Sequence, residues 1–238
     1  MKKILVSTIV RNRRKFLPMW INQLNELCSL SKDSVFYLSV YENDSIDGSQ
    51  DALKSLNFEG FKDISVNCEN IHTPSFGSVK NDHRVQLLAE ARNKSIYGNT
   101  FLEECDYVLS VEPDIAYSPK DMLPIIENDD YDILSARSIE YKTPPPTHLY
   151  DGWGTRNTEK HSDWEANVTF AGLIDTWTTY NCFCKYKANP IKDRVTFDGF
   201  NRRLNRYDCD TAVICENFRE AGYSKIGLHG ACNVLHMR

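Results

Sequence analysis

The chain of 238 residues has no Walker-type glycine loop and no GxGxxG, GxSxG or HExxH pattern. Kinase, dinucleotide-dehydrogenase, α/β-hydrolase and zinc-protease readings therefore lose their usual local support. An excess of positive charge is also missing. The 28 Lys and Arg against 33 Asp and Glu leave a net charge of −5, which argues against a surface built to hold nucleic acid. No window approaches the ~18 consecutive apolar residues of a membrane span. The apolar start, residues 4–10, lacks the length and cleavage site of a signal peptide. The eight cysteines form no CxxC pair, so neither a zinc ribbon nor a thioredoxin-type site is indicated. They read as reduced thiols of a cytosol-like compartment. Arg202, Arg203 and Arg206 form a local basic patch, suited to solvation or to an anionic substrate.

What is present is ordinary for one soluble domain: 41% hydrophobic and 26% charged residues. Residues 4–10 read as a buried strand. Phe16, Leu17, Trp20, Ile21, Leu24 and Leu27 form a helical stripe over 16–28. Strands are predicted over 35–41, 64–68, 107–111 and 131–136, with a short helix ending near 56 and a longer one over 84–97. Ser118 followed by Pro119 marks a capped helix start. This alternation predicts an α/β fold, a mostly parallel central sheet flanked by helices with right-handed crossovers. Residues 140–168, with Pro144, Pro145, Pro146, Trp153 and Trp164, read as a long functional loop. Strands over 176–183, 225–228 and 233–236 and a helix over 209–221 complete the chain.

The chemistry concentrates at strand ends. The strand over 107–111 runs into Glu112-Pro113-Asp114. Two acids one residue apart at a carboxyl edge suit a hard divalent cation and leave positions for a phosphate-bearing ligand. Glu42 and Asn43 end the second strand and begin a turn, and carboxylates there accept hydrogen bonds from a ribose or a base. Asp47-Gly48 in the same segment reads as turn chemistry. Arg92, beside Asn93, offers a fork matched to phosphate, or a surface ion pair. Asp151, Trp153 and Arg156 place an acid, an aromatic and a base in the long loop, which suits stacking on a sugar or anchoring the loop. Asp208 and Asp210 open the late helix. Asp208 is predicted as its cap, with Asp210 free for chemistry.

Taken in order, YENDSIDGS (41–49), HRVQLLAEARN (83–93), YVLSVEPDIAYSPKDML (107–123), LYDGWGTRN (149–157) and YDCDTAVICENFREAGYSKIGLHG (207–230) resemble a GT-A glycosyltransferase, specifically the cryptococcal capsule-type α-1,3-mannosyltransferase family. The resemblance implies the GT-A fold, Rossmann-like and nucleotide-sugar-binding, as a single domain over 1–238. Residues 1–136 would form its nucleotide half and 137–238 its sugar and acceptor half. It implies a nucleotide-sugar donor linked to GDP or UDP, a glycan acceptor, and Mn2+ or Mg2+. Asp114, with Glu112, would hold the metal, joined by His236 with His229 in reserve. Glu42 and Asn43 would receive the nucleoside, with Arg92 and Asn93 close to the donor. The family is retaining, so Asp210 or Asp208 would orient the acceptor or stabilise an oxocarbenium-like centre, with Asp151 a further catalytic candidate. The chain differs from relatives in reading Glu at the first position of the acidic triplet. It also shows no membrane anchor of the fungal Golgi kind, which favours a bacterial or virus-infected cytosol.

The expected function is metal-dependent transfer of a hexose or deoxyhexose from a nucleoside diphosphate to a glycan hydroxyl. Two alternatives share the fold. One is a nucleotidyltransferase making a nucleotide sugar, for which the basic stretch at 11–15 lacks glycine. The other is a non-catalytic carbohydrate-binding domain, against which Asp114 speaks.

Overall fold

The computed structural model describes residues 1–77, 79–140, 148–159 and 172–237. Its first half is β1 (Lys2–Val10), α1 (Leu17–Leu30), β2 (Ser34–Asn43), α2 (Ser49–Lys54), β3 (Phe61–Glu69), α3 (Asp82–Tyr97) and β4 (Tyr107–Val111). There follow β5 (Ile115–Ala116), a 3-10 turn leading into α4 (Leu123–Glu127), β6 (Ile133–Glu140), β7 (His148–Leu149) and β8 (Leu173–Asp175). The chain closes with β9 (Phe183–Lys187), α5 (Ala188–Lys192), a hairpin of β10 (Phe200–Asn201) and β11 (Arg206–Tyr207), α6 (Asp210–Glu220) and β12 (Ile226–His236).

The main sheet runs β3-β2-β1-β4-β9-β6-β12-β5, with β7 on β6 and β8 on β12. β1 pairs in parallel with β2 on one side and β4 on the other. The chain leaves β1 through α1 and α2 toward β3, and α3 then brings it back across β1 to β4. Strand order reverses there, which opens a crevice at the carboxyl ends of β1 and β4.

Burial divides by strand parity. Ile4, Val6 and Val10 join Leu38 and Val40 under α1, whose Leu17, Trp20, Ile21, Leu24 and Leu27 are buried. Each such apolar side chain contributes roughly 1.5–3 kcal/mol on burial. Leu5 and Tyr37 face the other way, against Ala89 and Ile96 of α3 and Ile214 and Phe218 of α6. α3 comes close because serines meet it. Ser7 Oγ bonds Ser95 Oγ at 2.8 Å, and Ser39 Oγ donates to the Ser95 carbonyl at 2.6 Å.

Three expectations about elements are corrected. The strand predicted over 176–183 lies instead at Phe183–Lys187. Asn181 and Cys182 take left-handed φ of 54° and 63°, which breaks an extended run. β9 then continues through Lys185, a buried lysine whose ammonium donates to the carbonyls of Ile126 and Asn128. β9 is antiparallel to both neighbours. The two final strands are one, β12, with an irregularity between Leu228 and Asn233 where Gly230 sits. Ser118 makes no side-chain cap. Of the loop over 140–168, the parts at 141–147 and from 160 onward, Trp164 included, lie outside the described residues.

Candidate active site

A cavity of about 520 Å³ opens at the carboxyl ends of β1, β2 and β4. Arg11 and Arg13 after β1, Asn43 of β2, Glu112 and Asp114 after β4, Arg84 and Arg92 of α3, Asp151 and Trp153 of the loop, Asp210 of α6 and His236 of β12 all line it.

The turn after β2 acts as a fastener. Asp44 accepts the amides of Ile71, His72 and Thr73 and the Thr73 hydroxyl. Burial opposes its charge, yet the Thr73 hydroxyl and these amides hold its carboxyl well below the usual range. Three side chains of the same turn grip the loop after β1. Ser45 Oγ accepts Asn12 N at 2.8 Å, Ser49 Oγ accepts Arg13 N at 3.0 Å, and Asp47 Oδ2 accepts Arg14 N at 2.9 Å. Asn12, at φ 53°, accepts the Ile46 amide on its Oδ1 at 2.9 Å. Gly48 supplies the φ of 82° that lets the turn close. So the YENDSIDGS segment fixes the backbone that carries Arg11 and Arg13.

Arg11 donates to the Thr73 hydroxyl and to the carbonyls of Thr73 and Pro74. Its Nε is buried without a partner. All its acceptors are neutral, so its charge meets no carboxylate among the described residues. Arg13 Nε donates to Asp114 Oδ2 at 2.7 Å. His236 Nε2 lies 3.6 Å from the same oxygen, and Tyr150 stacks on the imidazole at 3.7 Å and 14°. Burial and the neighbouring Glu112 raise the Asp114 carboxyl, with Arg13 and His236 opposing. Burial lowers His236 and favours the neutral ring, the form that ligates metals.

A divalent cation fits these two residues. Among the described residues no group of three or more His, Cys, Asp or Glu side chains stands ready as a metal cage. Mn2+ or Mg2+ in a nucleotide site does not need one, because one or two protein ligands suffice when phosphate oxygens and water fill the rest. A carboxylate and a neutral imidazole on one face supply that donor set.

Glu112 is turned away from Asp114 into a buried node. Arg92 Nη2 donates to Glu112 Oε1 at 2.8 Å, its Nε to Asp210 Oδ2 at 2.8 Å, and its Nη1 to the Tyr180 hydroxyl at 2.6 Å. Tyr180 donates in turn to Glu112 Oε1 at 2.6 Å. Burial disfavours the Arg92 charge, but Tyr180, Glu112 and Asp210 around it hold it firmly. One guanidinium thus ties α3 to the β4 turn and to the start of α6. Across the cavity Asp151 accepts the amides of Gly154 at 3.2 Å and Asn181 at 3.1 Å. Burial pushes its carboxyl up to about 6 against those two bonds. The Lys80 ammonium sits 5.2 Å over the Trp153 ring.

A family model described as cryptococcal mannosyltransferase 1 matches residues 3–194, most of the chain. The chain belongs to the cryptococcal mannosyltransferase 1 family. Among solved structures, S. aureus TarS residues 1–349 in complex with UDP-GlcNAc is similar over 100% of this chain and 59% of that one, at 14% identity and a TM-score of 0.57. The mannosyltransferase PcManGT from Pyrobaculum calidifontis, in complex with GDP-Man and Mn2+, is similar over 99% of this chain and 56% of that one, at 9% identity and a TM-score of 0.56. These likenesses show the GT-A fold, and the chain spans less than two thirds of those solved chains. No match to a curated protein is found. No helix among the described residues is long and apolar enough to cross a membrane.

In this mannosyltransferase-family chain, Asn43, Arg92, Glu112, Asp114, Asp151, Trp153, Asp210 and His236 line the cavity. Glu42, Asn93, Arg156 and Asp208 stand outside its lining. Glu42 lies on the α1 side of β2 and accepts Ser45 N at 2.9 Å, with Oε2 buried and unpartnered. Asn93 is spent on the backbone of Phe197, donating at 2.8 Å and accepting at 3.0 Å. Asp208 is not the cap of α6. The cap position is Cys209, without a side-chain bond. Asp208 accepts two bonds from fully buried Arg156, at 2.7 and 2.9 Å. Sequence reasoning passed over Arg11, Arg13, Tyr150 and Tyr180 as site residues. A signal existed for the arginines, since they follow β1 directly, at the edge where Glu112 and Asp114 follow β4.

Proposed function

We propose that this protein moves a hexose or deoxyhexose, mannose by family, from a nucleoside diphosphate to a glycan hydroxyl, with Mn2+ or Mg2+ held on Asp114 and His236. One observation carries the reading. The Asp114–His236 pair and the Arg11 guanidinium, which meets no carboxylate among the described residues, face the same cavity at the switch point of the sheet, a place suited to phosphate and cation together. That PcManGT holds GDP-Man with Mn2+, and TarS UDP-GlcNAc, in the same fold supports it.

Asn43 and Thr73 border the nucleoside end, and Arg11 and Arg13 face the diphosphate. A cation held there would supply positive charge to offset the negative charge that the leaving diphosphate develops. Trp153 offers a flat face to a pyranose, with Asp151 and Asp210 on the sugar side. In a retaining transfer, the course implied by the family, these carboxylates stabilise the oxocarbenium-like centre, Asp210 being oriented through Arg92. A second reading rests on Asp151. Its carboxyl, raised to about 6, suits a base that takes the acceptor proton in an inverting transfer.

The test is release of nucleoside diphosphate from a panel of GDP- and UDP-hexoses, with and without manganese. Manganese-dependent release that disappears in Asp114→Asn is expected, and the product anomer decides between the two courses. Release indifferent to both metal and Asp114 would contradict the proposal.

A further inference from the structure

The loop after β1 is held rigidly through its backbone, while one of its side chains occupies the carboxylate assigned to the metal. Arg13 N is fixed by Ser49 and its neighbours' amides by Ser45 and Asp47. The Arg13 side chain is 41% exposed, in contrast to the 7% of its partner Asp114. Its other bonds go from Nη1 to the carbonyls of Arg11 and Asn12, at 3.4 and 3.1 Å, within its own loop. A half-exposed arm on a fixed base has room to turn. Its present partner is a buried carboxylate whose charge needs a cation beside it. Asp114 Oδ2 faces Arg13 Nε at 2.7 Å and His236 Nε2 at 3.6 Å, so an arriving cation meets the arginine on the oxygen it requires.

We infer that Arg13 is an exchange arm. It neutralises Asp114 while the site is unloaded, gives up that oxygen when a divalent cation arrives with a nucleoside diphosphate, and turns its guanidinium onto the diphosphate. The inference rests on the metal reading of Asp114. It extends that reading by giving Arg13 opposite effects on two ligands: competition with the bare metal, and cooperation with the metal–diphosphate pair. It also gives the YENDSIDGS turn a task other than touching the nucleoside. Its Ser45, Asp47 and Ser49 hold the pivot from which the arm reaches both partners.

The two signs make the inference testable without measuring turnover. Binding of Mn2+ alone, and of GDP or UDP in the presence of Mn2+, is measured by calorimetry on the wild type, Arg13→Gln, Arg13→Lys and Asp114→Asn. Removing a half-exposed ion pair should tighten Mn2+ alone by about two- to fivefold in Arg13→Gln. Losing a charge-assisted bond to phosphate should weaken the diphosphate by about tenfold or more. Arg13→Lys keeps the charge and should fall between the two for both ligands. Loss of Mn2+ binding in Asp114→Asn, together with unchanged or weaker Mn2+ binding in Arg13→Gln, overturns the exchange alone. Full Mn2+ binding by Asp114→Asn overturns the metal site and the exchange with it.

Discussion

Replacing Arg92 by methionine keeps an unbranched apolar stem and removes the charge, and the node around it makes the consequence calculable. Two carboxylates depend on this guanidinium. Asp210 is 4% exposed and Glu112 19% exposed in their side chains. Removing one partner of a buried pair strands the other, at a typical cost of about 3–5 kcal/mol. That is a large share of the roughly 5–15 kcal/mol that stabilises a domain. The sign of the pH dependence adds a second readout. Burial opposes the Glu112 charge, but Arg92 and the Tyr180 hydroxyl hold its carboxyl below the ordinary 4.5. The unfolded chain therefore binds more protons than the native one just below that value. In the wild type this contribution is complete above 4.5 and is lost as pH falls through the native pKa. In Arg92→Met burial is opposed only by the Tyr180 hydroxyl and Arg13, so the Glu112 carboxyl moves up and this contribution shrinks. Urea denaturation of both proteins between pH 4 and 7 reads the cost and the slope. Adding Glu112→Gln and Asp210→Asn to Arg92→Met should recover most of the loss. A cost under about 1 kcal/mol, the range of an exposed pair, with the wild-type slope retained, would refute the node.

Three further outcomes follow from the same geometry. Asp208→Ala strands the fully buried Arg156 and should cost about 3–5 kcal/mol in denaturation midpoint analysis, not the ~1 kcal/mol of a lost helix cap. Trp153→Ala should weaken binding of an intact nucleotide sugar more than of the bare nucleoside diphosphate, and equal losses by calorimetry would place the ring in the fold instead. Asp151 has a native pKa of about 6 against an ordinary 3.8, so the native state binds more protons between those values. Its contribution to stability is complete at low pH and declines as pH rises from about 4 to 6. Asp151→Asn should flatten that decline, and an unchanged profile would show the carboxyl to be unperturbed.

Much of the scaffold was legible because its signals are local. β1, β2 and β4 are short apolar runs, and α1 shows its buried stripe at helical spacing. Those three strands and the triplet after β4 located the cavity edge correctly. What escaped was decided by partners far along the chain or by backbone sign. β9 was misplaced because Lys185 reads as polar, although two carbonyls from residues 126 and 128 satisfy its ammonium inside the fold. Asp208 resembles a cap locally and becomes an ion-pair partner only when Arg156 arrives from 52 positions away. Glu42 ends its strand as expected, but strand parity turns it from the cavity, while Tyr41 and Asn43 on either side of it line the space. In the YENDSIDGS segment Glu42 and Asn43 were read as ligand contacts and Asp47-Gly48 as turn chemistry. Its side chains are engaged with the amides of residues 12–14 and 71–73, a role no single segment displays.

The central claim is that Asp114 binds a divalent cation together with a nucleoside diphosphate. Its most direct test is the melting temperature of the wild type and of Asp114→Asn across GDP and UDP, each with and without manganese. A ligand confined to the native state raises that temperature with its occupancy. The account predicts a nucleotide-dependent rise in the wild type that requires manganese and is absent from a folded Asp114→Asn. Equal shifts in both proteins, or a wild-type shift that ignores manganese, would contradict it.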